Sequence, residues 1–167
     1  MKRSRPLQPF EEIIETNKES IFRICRIYAV NPLEPEDLFQ EVVFQAFKSF
    51  DSFKGQSSLS TWLYRVTLNS CMRLKHSHDK KNHSSLELSS IHFLNAEEAP
   101  EEERYLMLRE CIDTLKEVER SIIILHLEEV AYREIAEITG LTENHVAVKM
   151  KRIKTKLSDC LTQKLGI

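Results

Sequence analysis

In the stretch "DLFQEVVFQAF", residues 37–47, apolar side chains return at every fourth position: Leu38, Val42 and Ala46, with Phe39, Val43 and Phe47 beside them. An α-helix gathers such positions on one face, and a helix with one apolar stripe must bury that stripe against other elements. The other face carries Asp37, Gln40 and Glu41, and no Lys or Arg occurs from Asn31 to Phe47. The same period recurs upstream in residues 9–30, where Phe10, Ile14, Ile21, Cys25 and Tyr28 share a side and the helix must end before Asn31 and Pro32. Pro35 suits the first turn of the next helix, and Glu36 and Asp37 there favour its dipole; this helix is expected to run to about Phe50. "DSFKGQSS" then breaks the chain at Gly55, and Ser57 or Ser58 can cap a third helix, "LSTWLYRVTLNSCMRLKH".

Only three Gly and five Pro occur among 167 residues, and no alternating run of strand length stands between turn signals. The predicted fold class is therefore all-α. Periodicity fades from Ser77 to about Pro100 into polar, Ser- and Glu-rich sequence in which "IHFL" can make a local contact. The expected organisation is two small helical domains, residues 8–78 and 101–167, joined by a flexible acidic linker over 79–100. No stretch approaches the roughly 18 apolar residues of a membrane span, and the basic N-terminus lacks the apolar segment of a signal peptide, so a cytoplasmic protein without membrane insertion is expected.

Cys25, Cys71, Cys111 and Cys160 lie far apart without a zinc-finger spacing, and three of them, among apolar helical neighbours, read as small core residues in a reducing cytosol. His76, His78 and His83 fall in a polar, loop-like stretch and are expected to be solvated rather than metal ligands. No phosphate-binding Gly loop, nucleophile–base arrangement or metal set occurs, so neither an enzyme nor a cofactor protein is expected.

The formal charge of −2 hides an uneven distribution. Four acids and no base occupy residues 31–47, whereas residues 48–83 hold seven bases (Lys48, Lys54, Arg65, Arg73, Lys75, Lys80, Lys81) against Asp51 and Asp79. Residues 84–103 hold six Glu and no base, and residues 140–167 hold six bases against Glu143 and Asp159. Two basic segments separated by acidic ones point to two contacts with a polyanion.

"YREIAEITGLTENHVAVKMKRIKTKL" breaks at Gly140, where a glycine readily takes the left-handed conformation that ends a helix. Ile135, Ala136 and Ile138 form the packing face before it. Thr142 can cap a further helix with Val146, Met150, Ile153 and Leu157 inward. Short helix, Gly turn and second helix make a helix-turn-helix, whose second helix enters the major groove. Its exposed positions are Glu143, Asn144, His145, Val148, Lys149, Lys151 and Arg152. Asn can read adenine, Lys or Arg can read guanine or bind phosphate, and Val148 can meet a thymine methyl. Lys154 and Lys156 are placed for the DNA backbone.

Taken together, "PEDLFQEVVFQAFKSFDSFKGQSSLSTWLYRVTLN" and "LKEVERSIIILHLEEVAYREIAEITGLTENHVAVKMKRIKTKL" resemble regions 2 and 4 of the extracytoplasmic-function group of bacterial sigma factors, in the sigma-70 family. The D-L-x-Q-E helix, the "DSFKG" turn and the "TWLYR" helix occur in that family's order and spacing. The resemblance implies that Asp37, Gln40 and Glu41 dock on the clamp of core RNA polymerase; rigidly presented acids and an amide suit pairing with Arg and Lys, and a lack of basic neighbours discourages DNA there. It implies a −10 specificity loop at Phe53, Lys54, Gly55, Gln56, Ser57 and Ser58, with Asn69 lining the pocket of a flipped base and Arg65, Arg73 and Lys75 on phosphates. Trp62, with Leu63, Val66 and Leu68, reads instead as domain core. The C-terminal surface named above would read the −35 promoter element.

The chain departs from the family pattern where Ala147 and Val148 replace a common basic residue and serine, where Lys149 replaces an Arg, and where Ala131 replaces a capping serine. Implied partners are core RNA polymerase, promoter DNA and an anti-sigma factor, which in this family is often membrane-anchored. The acidic residues Glu97, Glu98, Glu101, Glu102 and Glu103 are assigned to the linker, which in that family threads into polymerase. The competing reading is a stand-alone helix-turn-helix regulator that binds duplex DNA tightly by itself, usually as a dimer on a palindrome.

Overall fold

The computed structural model describes residues 7–30, 32–81 and 100–167, and among them every regular element is a helix. The chain divides into two compact units, Met1–Ser84 and Ser85–Ile167. Among the described residues no helix is long and apolar enough to cross a membrane.

The first unit consists of α1 (Leu7–Tyr28), α2 (Pro35–Ser49), a 3-10 turn (Phe50–Ser52) and α3 (Leu59–Lys81). The three helices pack against one another pairwise. Their core holds Ile21, Ile24, Cys25 and Tyr28 of α1, Leu38, Val42 and Ala46 of α2, and Leu63, Leu68 and Cys71 of α3. Each large apolar side chain so buried contributes about 1.5–3 kcal/mol relative to exposure. Pro35 occupies the first turn of α2, with Glu36 and Asp37 beside it. Ser58 caps α3: its Oγ accepts from the Thr61 backbone N at 3.1 Å. Phe50 seats its ring between Phe10, at 5.4 Å, and Trp62, at 6.0 Å, closing one end of the core.

The second unit consists of α4 (Glu101–Asp113), α5 (Glu117–Leu127), α6 (Tyr132–Thr139) and α7 (Glu143–Leu165). Ile112, Ile122, Ile124, Leu125 and Ile135 pack with Val146, Met150, Ile153 and Leu157, the inward stripe expected of the last helix. Gly140 ends α6 at φ 74°, and Thr142 caps α7 by accepting from the His145 backbone N at 3.2 Å. Ala131 stands at the start of α6 with no side-chain cap. Arg120 of α5 donates to the backbone oxygens of Asp113, at 2.9 Å, and Leu115, at 3.1 Å, binding the carbonyl-rich end of α4.

Three expectations need correcting. Glu101, Glu102 and Glu103, grouped with the linker acids although the second domain was expected to begin at 101, form the first turn of α4, where acids favour the positive end of the helix dipole. Glu97, Glu98 and "IHFL" lie outside the described residues. His76 and His78 stand within α3, which continues to Lys81 past the point where its apolar period ends; His83 lies outside the described residues. The cysteines split into two kinds. Cys25 and Cys71 are buried thiols 3.9 Å apart, and hydrogen bonding to Cys25 together with burial pushes the Cys71 thiol well above its ordinary value. Cys111 and Cys160, by contrast, form a disulfide between α4 and α7, because the packing of those helices brings together two cysteines 49 positions apart.

Closing a loop of that length typically stabilises a fold by about 2–4 kcal/mol. Reduction, or Cys111→Ser with Cys160→Ser, is expected to lower the urea midpoint of the second unit, read as a shift of the circular-dichroism transition. The sole tryptophan, Trp62, lies in the first unit and should report an unshifted transition by fluorescence. A circular-dichroism transition indifferent to reductant would show that the disulfide adds no stability.

Candidate functional site

Three sets of side chains come from these elements. The first is the outer face of α2. Because the apolar stripe of α2 turns inward, Asp37 and Gln40 are exposed and Glu41 is half-buried at the edge toward α3. Asp37 also acts locally, since its Oδ2 accepts from the backbone N of Glu34 at 3.2 Å and so fixes the start of the helix. Glu41 is held from two sides. Its Oε1 accepts from Gln45 Nε2 at 2.8 Å, one turn along α2, and from Arg73 at 3.2 Å, across on α3. The expectation of an acidic face without basic neighbours therefore fails at Glu41. Its basic neighbour lies 32 positions away in sequence and arrives through helix packing.

The second set is the loop before α3 and the ridge that follows it. Lys54, Gly55 and Gln56 are exposed, and Gly55 turns the loop at φ 71°, a conformation most side chains disfavour. Phe53 lays its ring 5.7 Å from that of Trp62, so this residue anchors the loop as well as lining it. Ser57 Oγ donates to the backbone oxygen of Ser58, and the Ser58 hydroxyl is committed to capping α3. Trp62 is half-buried between Phe50 and Phe53, and Val66 is half-buried too, so of the residues expected in the core only Leu63 and Leu68 are fully enclosed. Along α3, Asn69 and Arg73 are exposed and stand one turn apart on one ridge, while Arg65 and Lys75 are half-buried. The loop and the ridge thus belong to one unit with the acidic face, and Glu41 and Arg73 join the two.

The third set lies on α7. Glu143, Asn144, His145, Val148, Lys151 and Arg152 are exposed, whereas Lys149 is half-buried. Val148 is 45% exposed, which leaves an apolar contact open outward. Lys154 is exposed. Lys156 is turned to the protein: its Nζ donates to Glu119 Oε1 of α5 at 2.7 Å, while the side chain stays half-exposed. Glu119 is buried, and its Oε2 also accepts from the Lys116 backbone N at 3.3 Å. Burial alone would raise the Glu119 carboxyl. The hydrogen bonds from Lys156 and Lys116, with the charges of Lys156 and Lys149, outweigh it and hold the carboxyl below its ordinary value. Lys156 therefore ties α7 to α5, and the charge of Lys149 favours the same ionised Glu119. No local pattern points to this arrangement, because Glu119 sits in an ordinary first turn.

A carboxyl with a depressed folded pKa contributes stability that is complete above its unfolded pKa and lost as pH falls through the folded value. Stability of the second unit should therefore decline as pH drops below the unfolded value of 4.5. Glu119→Gln is expected to destabilise this unit at pH 7 by about 1–3 kcal/mol. It should also flatten the acid-side decline in melting temperature. An equally steep decline in the variant would assign the acid sensitivity to other groups.

Comparison with known proteins gives matches to both units. The family description Sigma-70 region 2 matches residues 13–81, and Sigma-70, region 4 matches residues 105–157. The chain is 29% identical over 136 residues to RNA polymerase sigma factor YlaC of Bacillus subtilis, a similarity covering 77% of this chain and 78% of that protein. It is 37% identical over 60 residues to ECF RNA polymerase sigma factor SigW of the same species, covering 36% of this chain and 32% of that protein. Among solved structures, the sigma factor RpoE in complex with the anti-sigma factor NepR from Bartonella quintana is similar in fold. Its TM-score is 0.71 at 18% identity, covering 93% of this chain and 98% of that one.

Proposed function

The chain belongs to the sigma-70 family as an RNA polymerase sigma factor of the extracytoplasmic-function group, and we propose a division of labour among the three sets of residues described above. The observation that carries the reading is the occurrence of both sigma-70 regions, in order, on one chain. A stand-alone helix-turn-helix regulator would account for the second unit and leave the first without a purpose.

Asp37, Gln40 and Glu41 dock on core RNA polymerase. Carboxylates and an amide fixed on a rigid helix form charge-assisted, direction-specific bonds to Arg and Lys of a partner. The loop Phe53–Ser58 and Asn69 receive an unpaired base of the −10 element, and Arg73, with Arg65 and Lys75, follows the phosphates of that strand. Strand opening needs no covalent step from these residues. Binding the unstacked base and its backbone offsets the energy lost on unpairing. Glu143, Asn144, His145, Val148, Lys149, Lys151 and Arg152 present the −35 reading surface, with Lys154 on the backbone. The fit of Lys149 to that role is reduced by its half-buried position. The place of work is the cytoplasm, where core enzyme and DNA meet, and an anti-sigma factor is the expected inhibitor.

Two single variants separate docking from opening. Gln40→Arg, at an exposed position, is expected to weaken association with core polymerase about tenfold or more. Asn69→Ala should leave that association and closed-complex formation intact, yet reduce permanganate reactivity of −10 thymines severalfold. Unchanged core affinity in Gln40→Arg would remove the docking assignment. Unchanged thymine reactivity in Asn69→Ala would remove the melting pocket.

A further inference from the structure

The Glu41–Arg73 ion pair joins two surfaces that the proposed function uses separately. Glu41 belongs to the face offered to polymerase, and Arg73 belongs to the ridge offered to DNA phosphates. In the isolated chain the two side chains engage each other, at 3.2 Å, with 31% of the Glu41 side chain and 57% of the Arg73 side chain still accessible. Gln45 donates to the same Glu41 oxygen that receives Arg73, so the carboxylate is aimed across toward α3 rather than left to swing in solvent. Gln45 acts here as a positioning residue.

We propose that the Glu41–Arg73 pair is a latch that makes engagement of DNA by the first unit depend on docking to polymerase. While the chain is alone, the carboxylate neutralises the guanidinium and competes with phosphate for it. When a cation of polymerase takes the Glu41 carboxylate, Arg73 is released to the DNA strand. Linkage makes the effect reciprocal: phosphate bound at Arg73 frees Glu41 and tightens docking by the same factor. The pair is partly exposed, so the coupling is small and screened by salt; exposed pairs correspond to about a two- to five-fold effect. That suffices to favour assembly in the productive order without blocking it. The latch rests on the assignment of Glu41 to the polymerase-docking face and of Arg73 to DNA.

The test uses the full chain at low ionic strength and a short fluorescein-labelled single-stranded DNA, followed by anisotropy. Glu41→Gln keeps the shape of the side chain and removes its charge. It is expected to bind the oligonucleotide about two- to five-fold more tightly than the unaltered chain. That gain should vanish in an Arg73→Gln background, so that the double variant binds like Arg73→Gln alone. A gain of the same size in the Arg73→Gln background would reflect general charge and overturn the latch, as would no gain at all. Core-polymerase affinity of Glu41→Gln, measured in parallel, separates the two readings. Weakened docking without an Arg73-dependent gain overturns the latch and leaves docking standing. An Arg73-dependent gain with unchanged docking overturns the hand-over, because polymerase then does not use Glu41. Far-UV circular dichroism of each variant checks that the helices are retained.

Discussion

The packing of α2 against α3 is the constraint on which the first unit depends. Leu38, Val42 and Ala46 enter the same core as Leu63, Leu68 and Cys71, and close packing leaves little freedom for the helices to slide. Fixing that register decides what lies along the outer edge of the contact. Glu41 comes opposite Arg73, and the acidic face of one helix abuts the basic ridge of the next. A surface that suits a basic protein partner and a surface that suits nucleic acid are thus held side by side by one set of apolar side chains. Their chemistry is opposite, and their rigidity has a common source.

The second unit meets a different demand. A helix proposed to read DNA has to be held firmly without using its outward face. In α7 the polar and covalent anchors lie in the later turns: Cys160 is bonded to Cys111, Lys164 donates to Glu110 at 2.6 Å, and Lys156 is bound by Glu119. The first turns keep Glu143, Asn144, His145 and Val148 outward, with the Thr142 cap and the Gly140 turn setting the angle at which the helix begins. The polar anchors thus lie in the later turns, while Val146 and Met150 hold the early turns through the core and leave their outer face open. Lys149 and Lys156 both contribute to the field that keeps the buried Glu119 ionised.

What could be read from the sequence was whatever is written within a few turns of chain. The stripe Leu38, Val42, Ala46, the stripe Val146, Met150, Ile153, Leu157, the Pro35 start, the Gly140 stop and the Thr142 cap all follow from helical period and end chemistry, and all appear in the fold. The exposed acidic face of α2 and most of the outward face of α7 follow from the same period, because what is not turned inward is turned outward. Contacts between distant positions could not be read in this way. The Cys111–Cys160 bond, the Glu41–Arg73 pair and the Glu119–Lys156 pair each depend on the register at which two helices meet, and no local pattern encodes that register. One helix end without a strong stop signal was also misplaced: α3 continues to Lys81, past His76 where the expected third helix ends, and so carries His78 as well. Glu129, at φ 60° in the turn after α5, takes a conformation for which glycine or asparagine would have been the sequence signal.

Two units on one chain make sense together only if the protein directs transcription through a larger enzyme. The most direct measurement is run-off transcription on genomic fragments with core RNA polymerase, with and without this chain. Discrete transcripts that require the chain, each starting a short fixed distance downstream of an opened −10 segment, are the result expected. If core enzyme shown to be active with another sigma factor yields no chain-dependent transcript from any natural template, while the chain alone binds duplex sites tightly, the account of polymerase-dependent promoter recognition is contradicted.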